Sequence, residues 1–139
     1  MANSKKFKKI GILKGGISDE FEISSLTANE VFNILKKKYL VHLIDVDSDC
    51  EKFVSNILNA KPDIIFNCLH GFFGEDGQVQ SILNYLKIPY THSNVFTSSL
   101  AMNKHFSKIF FEKIGVKSPN GRFLKNLNLS EKINFPQII

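Results

Sequence analysis

Three apolar runs of strand length, each followed by a segment with helical periodicity, predict an α/β fold on a parallel sheet. The third run, Ile64-Ile65-Phe66-Asn67-Cys68, hands over to His70-Gly71-Phe72-Phe73-Gly74-Glu75-Asp76-Gly77 before the next helix begins. In open α/β sheets, ligands bind in the crevice outside the carboxyl ends of the strands. An imidazole, two carboxylates and three glycines at such a position exceed what a connecting turn requires. The expected architecture is a Rossmann-like, doubly wound three-layer domain with three or four parallel strands.

The elements follow in order. Strand one runs from Lys8 to Leu13, with Ile10, Ile12 and Leu13 apolar, and Gly15-Gly16 breaks it. A helix from about Glu20 to Tyr39 places Ala28, Val31, Phe32 and Leu35 on one face. Strand two is Leu40 to Val46, and Asp47-Ser48-Asp49 reads as a turn or N-cap for a helix over Glu51 to Asn59. Strand three covers Asp63 to Cys68, and the helix Gln78 to Lys87 is closed by Pro89. Ile88 to Tyr90 can add a short fourth strand, and a last helix spans Ser98 to Ile114 up to Gly115. Ser118-Pro119-Asn120-Gly121 is a turn, and Ile138-Ile139 reads as the start of a further strand. The expected division is therefore a domain over 1–117, then a linker and the opening of a truncated second domain over 118–139.

Composition narrows the class. At 139 residues the chain suffices for one hydrophobic core, and 43% apolar with 22% charged content is ordinary for a globular protein. The net charge of +5 comes from lysine, with Arg122 the only arginine, so clustered arginine with interleaved aromatics, the mark of nucleic-acid binding, is missing. No apolar stretch approaches the roughly 20 residues of a membrane span. The polar N-terminus lacks a signal-peptide core. Cys50 and Cys68 follow no metal or redox spacing. These features fit a reducing cytoplasm, without nucleic-acid or membrane partners.

The first turn, Leu13 to Leu26, is not a dinucleotide-binding GxGxxG. Asp19, Glu20 and Glu22 crowd it. Three carboxylates repel a phosphate and suit an ammonium group. The alternative is that Ser18 caps the helix and the acids complement its dipole, which accounts for Asp19 and Glu22. In the third turn, Asp76 suits a helix cap and Glu75 suits orienting its neighbours. His70, at a strand end among glycines, is well placed for chemistry. His42, His92 and His105 take no role, and no pair has metal-ligand spacing.

With both turns in view, the chain resembles the D-alanine–D-alanine ligases of the ATP-grasp superfamily. The resemblance rests on Gly15-Gly16, Ser18, Glu20, Glu22, Ile23 and Ser24; on the complete motif His70 to Gly77; on Pro89-Tyr90-Thr91 with Ser93; and on Met102 and Lys104. It covers about Lys8 to Gly115. It implies that this is the N-terminal, pre-ATP-grasp substrate domain of an ATP-dependent, ADP-forming enzyme of peptidoglycan synthesis. Such an enzyme phosphorylates the carboxylate of one D-alanine, and the amine of a second then attacks the acyl phosphate. Glu20 would hold the ammonium of the first D-alanine, Ser24 would lie beside the substrate, His70 would serve the developing acyl phosphate, and Lys104 would face the nucleotide. ATP and Mg²⁺ (or Mn²⁺) would act in the full-length enzyme, with the metal ligands outside this chain, in a cytoplasmic homodimer. On this view the chain alone is inactive. Phe21, His92, Asn94 and Asn103 depart from the family pattern. A rival from another class is a stand-alone flavodoxin-like binding or regulatory domain without chemistry. The half strand at Ile138-Ile139 speaks against it, and the coding sequence past Ile139 would separate the two.

Overall fold

A computed structural model describes residues 7–119. Its elements are β1 (Lys9–Gly15), α1 (Phe21–Leu35), β2 (Leu40–Val46), α2 (Cys50–Ala60), β3 (Ile64–Asn67), α3 (Gln78–Tyr85), α4 (Val95–Met102) and α5 (Lys104–Lys113). The sheet is parallel, in the order β2-β1-β3. Ile10 of β1 lies level with Val41 of β2 and Ile64 of β3, and Leu13 with Ile44 and Asn67. The Asp63 carboxylate helps set this alignment by accepting the amides of Lys8 and Lys9 at 2.8 and 2.9 Å, tying the start of β1 to that of β3.

Strand alternation sends side chains to two cores. Ile10 and Ile12 pack with Ala28 and Cys68, flanked by Val31, Phe32 and Leu35 of α1. Leu13, Ile44, Val46 and Ile65 pack on the opposite face with Phe53 and Ile57 of α2 and Val79 and Leu83 of α3. Helices therefore cover both faces, giving the three-layer arrangement expected. Gly11 belongs to the second face: a methyl built on it would stand 2.7 Å from Ile65 and 3.0 Å from Ile44, so the strands close over its missing side chain.

Boundaries shift where local chemistry intervenes. Helix α1 stops at Leu35, and the three lysines after it form a turn in which the Lys38 and Tyr39 amides donate to the Leu35 carbonyl. Asp49 caps α2 by accepting the Lys52 amide at 2.9 Å. Asp47 accepts the Asp49 amide and the Lys52 ammonium, and this ammonium foremost holds its carboxyl below the usual carboxylate value. Helix α3 ends at Tyr85, well before Pro89, because Lys87 turns left-handed at φ +57°.

Two expectations need correction. Ile88 to Tyr90 does not form a fourth strand; it makes a single parallel bridge, Ile65 with Tyr90, and among the described residues the sheet has three strands. The long helix over Ser98 to Ile114 is two helices. Asn103 has extended backbone (φ −86°, ψ 95°), and its side chain accepts the Phe106 amide at 3.1 Å, ending α4 and capping α5. The strand start at Ile138-Ile139 and the linker reading of 118–139 fall almost entirely outside the described residues.

Candidate functional site

The carboxyl ends of β1 and β3 are neighbours because the strands are paired, so their turns meet. At the end of β1, Gly15 and Gly16 take φ of +79° and +104°, a region that disfavours side chains, and swing the chain to Ser18. The Ser18 hydroxyl does not cap α1 as a helix cap would; it accepts the Glu20 amide at 3.2 Å and donates to the His70 carbonyl at 2.8 Å. One turn into α1, the Ser24 hydroxyl accepts the His70 amide at 2.9 Å. The backbone of His70 is thus held on both sides by hydroxyls from the first turn and its helix.

Glu20 stands at the head of α1, exposed. Its carboxylate rests against Gly71: a methyl on that glycine would lie 2.5 Å from Oε2. Glu20 thus lies beside the residue that follows His70, fifty positions on in the chain. Ser24 belongs to the cluster in a different way from that expected. It is 0% exposed, so its hydroxyl reaches the backbone of His70 rather than a ligand in solvent.

Both carboxylates of the third turn shape it. Glu75 accepts the Gly71 amide at 2.7 Å. Asp76 accepts the amides of Phe73 and Gln78, both at 3.0 Å, and the Ser99 hydroxyl donates to its carbonyl at 2.7 Å. Beneath the turn lies a polar group that motif reading passes over. Asn67, 4% exposed, accepts the Leu69 amide with Oδ1 and gives its NH₂ to the Gly74 carbonyl at 2.9 Å and to His92 Nδ1 at 2.8 Å. Since the Asn67 amide is oriented by those backbone partners, His92 Nδ1 must be the acceptor. Fully buried Gln80 also donates to Gly74, at 2.8 Å. His92, which sequence reasoning left without a role, supports this turn from outside. The signal available was a polar Asn at the inward register of an apolar strand.

Lys104 makes no hydrogen bond to Glu20 or His70 among the described residues. It opens α5, donates to the Ala101 carbonyl at 3.3 Å, and lines an open cleft of about 390 Å³ with Glu75, His92 and Ser93. Glu75 links the regions, holding Gly71 in one and lining the other. Among the described residues no group of three or more His, Cys, Asp or Glu side chains is arranged to hold a metal ion. Cys68 is buried under α1, and desolvation pushes its thiol up to about 11, so it is not a nucleophile at neutral pH. No described helix is long and apolar enough to cross a membrane.

Residues 51–93, which contain the whole His70–Gly77 turn, match the family model described as D-ala D-ala ligase N-terminus. The D-alanine–D-alanine ligase of Pelagibacter ubique is 45% identical over 133 residues, covering 95% of this chain and 42% of the relative. That of Acidiphilium cryptum is 40% identical over 131 residues, 94% of this chain and 43% of its own length. Among solved structures, the D-alanine–D-alanine ligase from Bacillus anthracis complexed with ATP superposes with a TM-score of 0.74 at 32% identity, over 88% of this chain and 41% of that one. The chain spans about two fifths of the length of the relatives it matches. By sequence along nearly all of its length and by fold, the chain is similar to the N-terminal part of D-alanine–D-alanine ligases.

Proposed function

We propose that this chain is the substrate-side N-terminal domain, residues 1–117 with a linker over 118–139, of an ATP-dependent ligase that joins two D-alanines for peptidoglycan. The observation that carries the reading is the Glu20 carboxylate lying against Gly71, next to His70, whose backbone Ser18 and Ser24 hold.

A carboxylate beside an imidazole fits a small zwitterion. Glu20 receives the ammonium of the first D-alanine by a charge-assisted hydrogen bond. The D-alanine carboxylate takes the terminal phosphoryl group of ATP, releasing ADP. The amine of a second D-alanine attacks the resulting acyl phosphate, a C–N bond forms, and inorganic phosphate leaves with the C–O bond electrons. His70 sits where a ring N–H can donate to the negative charge that grows during these steps. Ser24 acts through His70 by fixing its backbone. Lys104 offers an ammonium to the nucleotide phosphates from the neighbouring cleft. The metal that accompanies ATP finds no group of three or more His, Cys, Asp or Glu side chains to hold it among the described residues. The same reading makes the whole protein a cytoplasmic homodimer.

The test is a chimera carrying this chain in place of the matching N-terminal part of the Pelagibacter ubique relative. D-alanine-dependent phosphate release from ATP is expected. Glu20→Gln should weaken the first D-alanine by roughly tenfold to a hundredfold, since a hydrogen bond to a charged group contributes about 1.5–3 kcal/mol. Unchanged D-alanine kinetics in that variant would remove Glu20 from its role.

A further inference from the structure

Beyond the bonds to its backbone, His70 makes one side-chain contact among the described residues: ring Nε2 lies 3.3 Å from Thr27 Oγ1. Thr27 follows Ser24 by three residues on α1, so the two hydroxyls share a face and both reach the same histidine. A threonine within a helix commonly gives its hydroxyl hydrogen to the carbonyl one turn back. No such bond is made here, and Nε2 is the only hydrogen-bond partner of Oγ1 among the described residues. The hydroxyl hydrogen is therefore available to Nε2. Ring Nδ1 has no protein partner among the described residues, and the ring is only half-buried.

We infer that Thr27 is the positioning residue that sets the His70 tautomer: its hydroxyl donates to Nε2, and the single proton of the neutral ring is kept on Nδ1. A neutral imidazole has one N–H and one acceptor nitrogen, and the partner of one nitrogen decides the state of the other. Held this way, His70 presents a donor to whatever lies in the crevice. The opposite direction, Nε2–H to Oγ1, would leave Nδ1 a bare lone pair, suited to taking a proton from an ammonium rather than to supporting growing negative charge. The purpose assigned to that donor rests on the ligase reading; the direction of the hydrogen bond does not.

The experiment is a two-bond ¹H–¹⁵N correlation spectrum of the 139-residue chain with ¹⁵N-labelled histidine. It is recorded about two pH units above the ordinary imidazole value of roughly 6.5. His70 is assigned, among the four histidines, by the signals lost in His70→Asn. The wild type should show His70 protonated at Nδ1. Thr27→Val, nearly the same shape without the hydroxyl, should lower the share of that form severalfold, towards the Nε2–H form that free histidine prefers. Thr27→Ser should restore it. A wild-type His70 protonated at Nε2, or a tautomer ratio unmoved in Thr27→Val, overturns the inference. The wild-type spectrum alone decides the direction of the bond if the valine variant does not fold. In the chimera, Thr27→Val should lower kcat severalfold with little change in KM for D-alanine, and Thr27→Ser should recover it. An unchanged kcat overturns the catalytic purpose. Because the tautomer is read without D-alanine or ATP, failure of the ligase reading and failure of this one are separable.

Discussion

Gly71 has φ +69° and carries the Glu20 carboxylate where its own side chain would be. Gly71→Ala should therefore act twice. The left-handed backbone costs an alanine about 1 kcal/mol, and the methyl displaces Glu20 from the crevice. A lowered urea midpoint together with weakened D-alanine use by the chimera is expected; loss of stability alone would show that Glu20 has room to adapt. Cys68 makes a second residue-scale prediction. Burial raises its thiol from 9.0 to about 11. The unfolded chain therefore releases that proton first, and folding stability should fall as pH rises from about 9 towards 11. Denaturation across that window in wild type and Cys68→Ala should give curves that differ in slope. A thiol reagent at neutral pH should label exposed Cys50 and spare Cys68 until the chain unfolds.

Asn103 governs the element scale. It breaks what would have been one helix and caps α5 through Phe106, and Lys104 begins the new helix beside the cleft. Asn103→Ala removes the cap and should cost about 1 kcal/mol, seen as a lower thermal midpoint. Asn103→Asp keeps an acceptor and should cost less. Asn94 has the same function at α4, accepting the Thr97 amide at 2.9 Å, and His92 pairs with Asn67. Three of the positions that depart from the family pattern thus have local structural jobs. The long-helix expectation failed here because apolar residues continue across the break. Asn103 is a short polar side chain that offers the backbone a competing hydrogen bond, and it was the signal available. The fourth strand failed for another reason: Ile88 to Tyr90 meets β3 at one residue, too little contact to extend a ladder.

At the scale of the whole molecule, the chain matches about two fifths of its ligase relatives. Given ATP, Mg²⁺ and D-alanine, the purified chain alone is expected to release no phosphate, whereas the chimera should; a phosphate-release assay on both checks this. Strand positions, the three layers and the places of the two turns after β1 and β3 were legible in the sequence. Period-two and period-3.6 apolar patterns report which face each element buries, and glycines with acids at strand ends mark a crevice. His70 and Glu20 could be singled out as candidates from their motifs and charges. What could not be read were the contacts between segments far apart in the chain. Ser18 and Ser24 reach the backbone of His70, Thr27 reaches its ring, Asn67 bridges Gly74 and His92, and Ser24 is sealed away from solvent. Periodicity is a local property of a segment and survives in the linear order of residues. A hydrogen bond across forty or fifty residues depends on which strands pair and in what register, and hydroxyls and amides carry no pattern that announces their partners until the sheet has brought them within 3 Å or so of one another.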